Sequence, residues 1–100
     1  MKKQYLKTKN ACKVTFRLPG EAVKNAAAVH LVGGFNGWDP KAAPMKKMKD
    51  GSFQIALTLE AGRSYQFRYL IDGKTWENDW AADRYAPSSF GADENSVVDV

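Results

Sequence analysis

Two tryptophans and one arginine stand apart in this chain of 100 residues. Trp38 lies in Gly33-Gly34-Phe35-Asn36-Gly37-Trp38-Asp39-Pro40, where every neighbour except Phe35 is a residue that makes turns. Trp76 comes shortly after the turn signal Asp72-Gly73. Arg68 takes an outward position inside an otherwise aromatic alternation, between Phe67 and Tyr69. An indole at a turn is either folded back into the core or held out on a rigid rim. Two rim indoles beside a planar, multi-donor guanidinium would make a platform for a sugar. A pyranose has an apolar C–H face that an indole covers and a polar edge that an arginine meets with hydrogen bonds. One covered indole face removes about 100 Å² from water, worth roughly 2 kcal/mol at ~25 cal/mol/Å². Surface hydrogen bonds add about 1 kcal/mol each, and the freedom lost on binding opposes both terms. The expected Kd is on the order of 10 μM to 1 mM, tightened only through multivalency. Trp80, in a long irregular segment, reads more simply as packing that holds the segment down.

Other chemistries lack their residues. His30 is the sole histidine and Cys12 the sole cysteine, which excludes an internal disulfide and a four-ligand structural zinc site. Glu77, Asp79 and Asp83 are near one another in sequence, yet nothing around them suggests the cleft that a glycosidase carboxylate pair requires. Gly33-Gly34 precedes Phe-Asn rather than Lys-Ser/Thr, so it is no phosphate loop. No enzyme activity and no cofactor are expected.

The elements that must position these residues read as strands. Val14, Phe16 and Leu18 alternate with Thr15 and Arg17 until Pro19-Gly20 stops them. Residues 21–28 are rich in alanine but short, and are expected to be a loop with one helical turn. Residues 29–32 form a second apolar run. Residues 41–49 read as a loop or a short edge strand. After Asp50-Gly51 comes the cleanest alternation of the chain, with Phe53, Ile55, Leu57 and Leu59 inward. Tyr65, Phe67, Tyr69 and Ile71 follow inward, with Gln66, Arg68 and Leu70 outward. Residues 74–78 should pair back on that strand, residues 79–95 should be irregular, and residues 96–100 should close the fold. The pattern implies an all-β, immunoglobulin-like sandwich of about 7–8 antiparallel strands. Residues 1–12 are expected to be a flexible basic tail and residues 13–100 a single domain.

The net charge of +4 conceals an asymmetry, with eleven Lys/Arg against three Asp/Glu in residues 1–50 and four against eight in residues 51–100. Exposed aromatics with basic residues also suit single-stranded nucleic acid. The acidic second half surrounding Trp76 opposes a phosphate chain, so no nucleic-acid partner is expected. No apolar run reaches the ~20 residues of a membrane span, and no secretory signal is recognisable at the N-terminus. With one cysteine, the cytoplasm is the expected compartment.

Gly34-Phe35-Asn36-Gly37-Trp38, Tyr65-Gln66-Phe67-Arg68-Tyr69-Leu70-Ile71-Asp72-Gly73, Trp76, Phe90-Gly91 and Asn95-Ser96-Val97-Val98 together resemble carbohydrate-binding module family 48. That family includes the glycogen-binding domain of the AMP-activated protein kinase β subunit and the N-terminal domains of isoamylase and glycogen branching enzymes. The resemblance covers about residues 14–100. It implies an immunoglobulin-like sandwich that binds α-1,4-glucan, as in glycogen or starch, without catalysis. By resemblance, Trp38 and Trp76 are the platform indoles, while Arg68, the basic residue of the central strand, and Asn95, the asparagine before the last strand, hydrogen-bond sugar hydroxyls. Phe90 corresponds, more loosely, to the apolar residue that pushes into the glucan. The implied partners are the polysaccharide and an enzyme of glycogen metabolism acting in trans. The competing reading is a protein–protein interaction module of the same fold that has lost sugar binding.

Overall fold

The computed structural model describes residues 1–88 and 93–100. Nine strands run through them: β1 Lys2–Tyr5, β2 Ala11–Leu18, β3 Val29–Gly33, β4 Lys46–Lys47, β5 Phe53–Glu60, β6 Ser64–Ile71, β7 Thr75–Glu77, β8 Arg84–Pro87 and β9 Glu94–Asp99. Every pairing among them is antiparallel. The back sheet has the order β1-β2-β5-β4, and the front sheet the order β3-β6-β9-β8, with β7 also paired to β6. The expected all-β sandwich is therefore the observed architecture. Short 3-10 turns at Gly20–Ala22 and Gly34–Asn36 are the helical elements among the described residues, and no helix is long and apolar enough to cross a membrane.

Alternation builds the core. Cys12, Val14, Phe16 and Leu18 of β2 are buried while Lys13 and Arg17 between them are exposed. Phe53 and Leu59 of β5, Phe67 and Tyr69 of β6, and Val98 of β9 join the same cluster from both sheets. Phe16 meets Phe67 edge-on with ring centroids 5.0 Å apart, an arrangement the aromatic quadrupole favours. The sheets are laced at one border, where the Leu31 N–H donates to the Ala43 carbonyl and the Met45 N–H to the Val29 carbonyl, both at 2.9 Å.

Two strands depart from expectation. β1 lies within the stretch expected to be a tail, and pairs with β2 from Lys2 opposite Thr15 to Tyr5 opposite Cys12. Its side chains are mostly exposed, so its pairing rests on backbone hydrogen bonds that leave no hydrophobic alternation to read. Lys3 also reaches Asp83 beside β8 at 2.6 Å, linking the sheets at the opposite border. β8 lies within the stretch expected to be irregular. It too is an edge strand, and its closing Pro87 disguises it.

Beneath the front sheet, the buried Tyr69 hydroxyl donates to the Asp79 carboxylate at 2.6 Å. Burial, and then the Asp79 charge, push the Tyr69 phenol far above its ordinary pKa, so it remains a neutral donor. Asp79 also accepts from the Ala81 N–H, and its own N–H donates to Ser96 Oγ. This buried carboxylate pins the chain after β7 against β9.

Candidate functional site

The corner after β3 holds Trp38 through three local devices. Gly33 is extended (φ −170°), so space and not conformation demands glycine there. A Cβ would sit 2.6 Å from the Gln66 carbonyl oxygen and 2.8 Å from Phe67 Cβ. Asn36 closes the turn, its Oδ1 accepting from the Gly33 N–H at 3.1 Å and its Nδ2 donating to the Leu31 carbonyl at 2.9 Å. Phe35 anchors it from below, 5.7 Å from the Phe16 ring and 6.0 Å from that of Tyr65. Gly37 and Trp38 are both left-handed, with φ of 65° and 59°. For tryptophan that conformation costs about 1–2 kcal/mol, and the Trp38 N–H bond to the Gly33 carbonyl at 2.9 Å helps to hold it. Strain of this kind concentrates where a side chain must be aimed.

Trp76 is aimed by a hairpin. Asp72 and Gly73 take positive φ between β6 and β7, and the register then sets Trp76 opposite Leu70. Register likewise sets Val32 opposite Arg68 and Val97 opposite Gln66. Val32, Leu70 and Val97 are buried, yet lie outside the cluster between the sheets. Register thus puts all three on the outer face of the front sheet as a buried apolar patch, to which β6 contributes only Leu70.

Trp38, Arg68, Trp76 and Asn95 line one groove on that face, with a volume of about 800 Å³. The four come from separate parts of the chain and are brought together by the registers above. Trp38 is 38% exposed and Trp76 46%, so each ring keeps an open side. Asn95 is only 6% exposed. Its Oδ1 accepts from Arg68 Nε at 2.6 Å, and its Nδ2 donates to Gln66 Oε1 at 2.9 Å. Among the described residues Arg68 has no carboxylate partner, whereas Arg63 at the groove's far end faces Glu60 at 3.5 Å. Phe90 lies outside the described residues. Trp80 is exposed and does not line the groove.

Gln66, Tyr65 and Asp93 also line the groove and were missed as site residues. Gln66 could have been found, because it shares the outward face of β6 with Arg68. Asp93 depends on a connection between β8 and β9 that has no sequence pattern. The perturbed carboxylates of the protein lie elsewhere: Asp99 is held below its usual range by Arg84 and Ser64 at the β9 end. Among the described residues no three His, Cys, Asp or Glu side chains gather as metal ligands would.

Over residues 9–86 the chain matches carbohydrate-binding module 48, the isoamylase N-terminal domain. It belongs to that family. This module 48 domain is also similar to the 1,4-α-glucan branching enzyme GlgB of Butyrivibrio fibrisolvens, with 37% identity over 62 residues, covering 62% of this chain and 10% of that enzyme. It is 41% identical over 44 residues to the GlgB of Photobacterium profundum, covering 43% of this chain and 6% of that enzyme. The module thus corresponds to a tenth or less of these relatives' length, and its family is one of binding modules rather than catalytic domains. The family match includes Trp38, Arg68 and Trp76. It stops before Asn95, whose place beside Arg68 is given by the geometry alone.

Proposed function

We propose that the module binds linear stretches of α-1,4-glucan, of the glycogen or starch type, in the groove of the front sheet. The single observation supporting this is that two half-exposed indoles from unconnected turns border one groove that Arg68 also lines. Trp38 and Trp76 stack on successive glucosyl faces, and Arg68 donates to hydroxyl oxygens. Asn95 works from beneath, through its bond to Arg68. The branching-enzyme relatives, named for their action on 1,4-α-glucan, favour this polymer over other polysaccharides. Bound to it, the module would raise the local concentration of an enzyme of glycogen metabolism acting in trans.

Affinity electrophoresis through gels containing amylose, glycogen or a soluble cellulose derivative tests the reading. Retardation by the first two, lost in Trp38→Ala and Trp76→Ala proteins of unchanged circular dichroism, is expected. Equal mobility of wild type and both variants would refute the site. Retardation by the cellulose derivative alone would refute the substrate class. No retardation in any gel would favour a module that binds protein instead.

A further inference from the structure

We propose that Gln66 is a second ligand-contacting donor in the groove, with its polarity dictated by Arg68 and relayed by Asn95. The proposal rests on the α-glucan reading and adds a residue and a polarity to it. Arg68 has no choice of polarity. A guanidinium carries only N–H donors, so the atom of Asn95 that lies 2.6 Å from Arg68 Nε must be its oxygen. The Asn95 amide nitrogen then faces Gln66 at 2.9 Å, and Gln66 must answer with its oxygen. The NH₂ end of Gln66 is left over. Among the described residues nothing accepts from it, and Gln66 is an exposed groove residue.

Asn95 makes the relay rigid. It is nearly buried and bonded at both ends of its amide, so turning it over would set N–H against N–H at Arg68 and oxygen against oxygen at Gln66. The terminal nitrogens of Arg68 and the amide nitrogen of Gln66 therefore offer the ligand hydrogens and no lone pairs. A sugar lying across them is held through its oxygens used as acceptors, at two points along β6. That fixes which edge of the glucan turns toward the sheet while the indoles hold its faces. Asn95 is a positioning residue in this scheme, and Gln66 a contact.

Titration of the ¹⁵N-labelled full chain with maltoheptaose, followed by NMR, tests this directly. The Gln66 side-chain NH₂ resonances should move to saturation together with the backbone signals of Trp38 and Trp76. Gln66→Leu should weaken binding about three- to tenfold, the usual value of one neutral hydrogen bond. Asn95→Asp keeps an acceptor for Arg68 but loses the donor to Gln66. It should weaken the wild type comparably, yet change the Gln66→Leu protein by less than about twofold, because its effect passes through Gln66. Gln66 resonances that stay still while the backbone signals shift, a Gln66→Leu affinity within about twofold of wild type, or additive penalties would each overturn the proposal. If no resonance responds to maltoheptaose, the α-glucan reading fails and the role of Gln66 fails with it; a shift confined to the backbone removes only the latter.

Discussion

The outer faces of the two sheets are built from the same alternation and do different things. On the back, register places Lys13, Thr15 and Arg17 of β2 beside Thr58, Ala56 and Gln54 of β5, with Lys46 of β4 at the border. That face is polar and basic, and the large exposed hydrophobics among the described residues leave β2, β4 and β5 without one. On the front, β6 also turns polar side chains outward, but they lie among buried Val32, Leu70 and Val97 and share a groove with two indoles. Strand composition accounts for part of the difference, through these buried outward residues. The front has a site because two of its corners are specialised: a strained turn carries one ring and a hairpin carries the other.

The largest test of this contrast removes the rings. Trp38→Ala and Trp76→Ala should each cost roughly 2 kcal/mol of glucan affinity, near thirtyfold, and the double variant should show no measurable binding by calorimetry. Lys13→Glu with Lys46→Glu, on the back, should leave the affinity within about twofold. An equal loss from the back-face pair would mean the polymer uses both sides.

The corners themselves come next. Gly33→Ala drives a Cβ into backbone of β6, so a loss of about 1–3 kcal/mol in urea unfolding is expected. Gly51→Ala, in the back-sheet turn, meets open space and is strained only by its positive φ, so it should cost about 1–2 kcal/mol, from backbone strain alone. Tyr69→Phe takes a donor from buried Asp79 and should also cost about 1–3 kcal/mol by the same measurement, with glucan affinity nearly unchanged.

The smallest effects are electrostatic. Raising salt from about 50 to about 500 mM should barely alter glucan binding, whereas any polyanion on the back face would be released steeply. Asp50, in the β4–β5 turn, titrates at about 2 instead of 3.8, drawn down by the Ser52 hydroxyl, the Ser52 N–H and Arg17. A carboxyl depressed in the folded state stabilises it above the ordinary value, and this stabilisation fades as pH falls from about 4 toward 2. Asp50→Asn should therefore flatten the acid limb of a melting-temperature profile in that window. An unchanged limb would show that the hydrogen bonds at Asp50 do not couple to folding.

Most of this arrangement can be read from residues whose pattern is local. The alternations of β2, β5 and β6 announce the sandwich, and the turn residues around Trp38 and after Ile71 announce rings that do not belong in the core. What escaped has a common physical cause. β1 and β8 are held at the edges by backbone hydrogen bonds, and backbone groups are the same in every residue. The apolar patch escaped because Val32 and Val97 look like ordinary strand residues until register sets them opposite Arg68 and Gln66, on the outer face where Leu70 was expected. The link between Arg68 and Asn95 spans 27 positions and appears only when β6 and β9 lie side by side.

The left-handed backbone of Trp38 carries a cost for anyone improving this domain. Glycine or asparagine would relax that position, so selection for heat resistance should reach it early. The variants that survive best would have traded away a ring that grips the polymer. Gains in melting temperature won at this corner would thus give a hardier protein with a blinder groove, and thermal screens of this module need a glucan column running beside them.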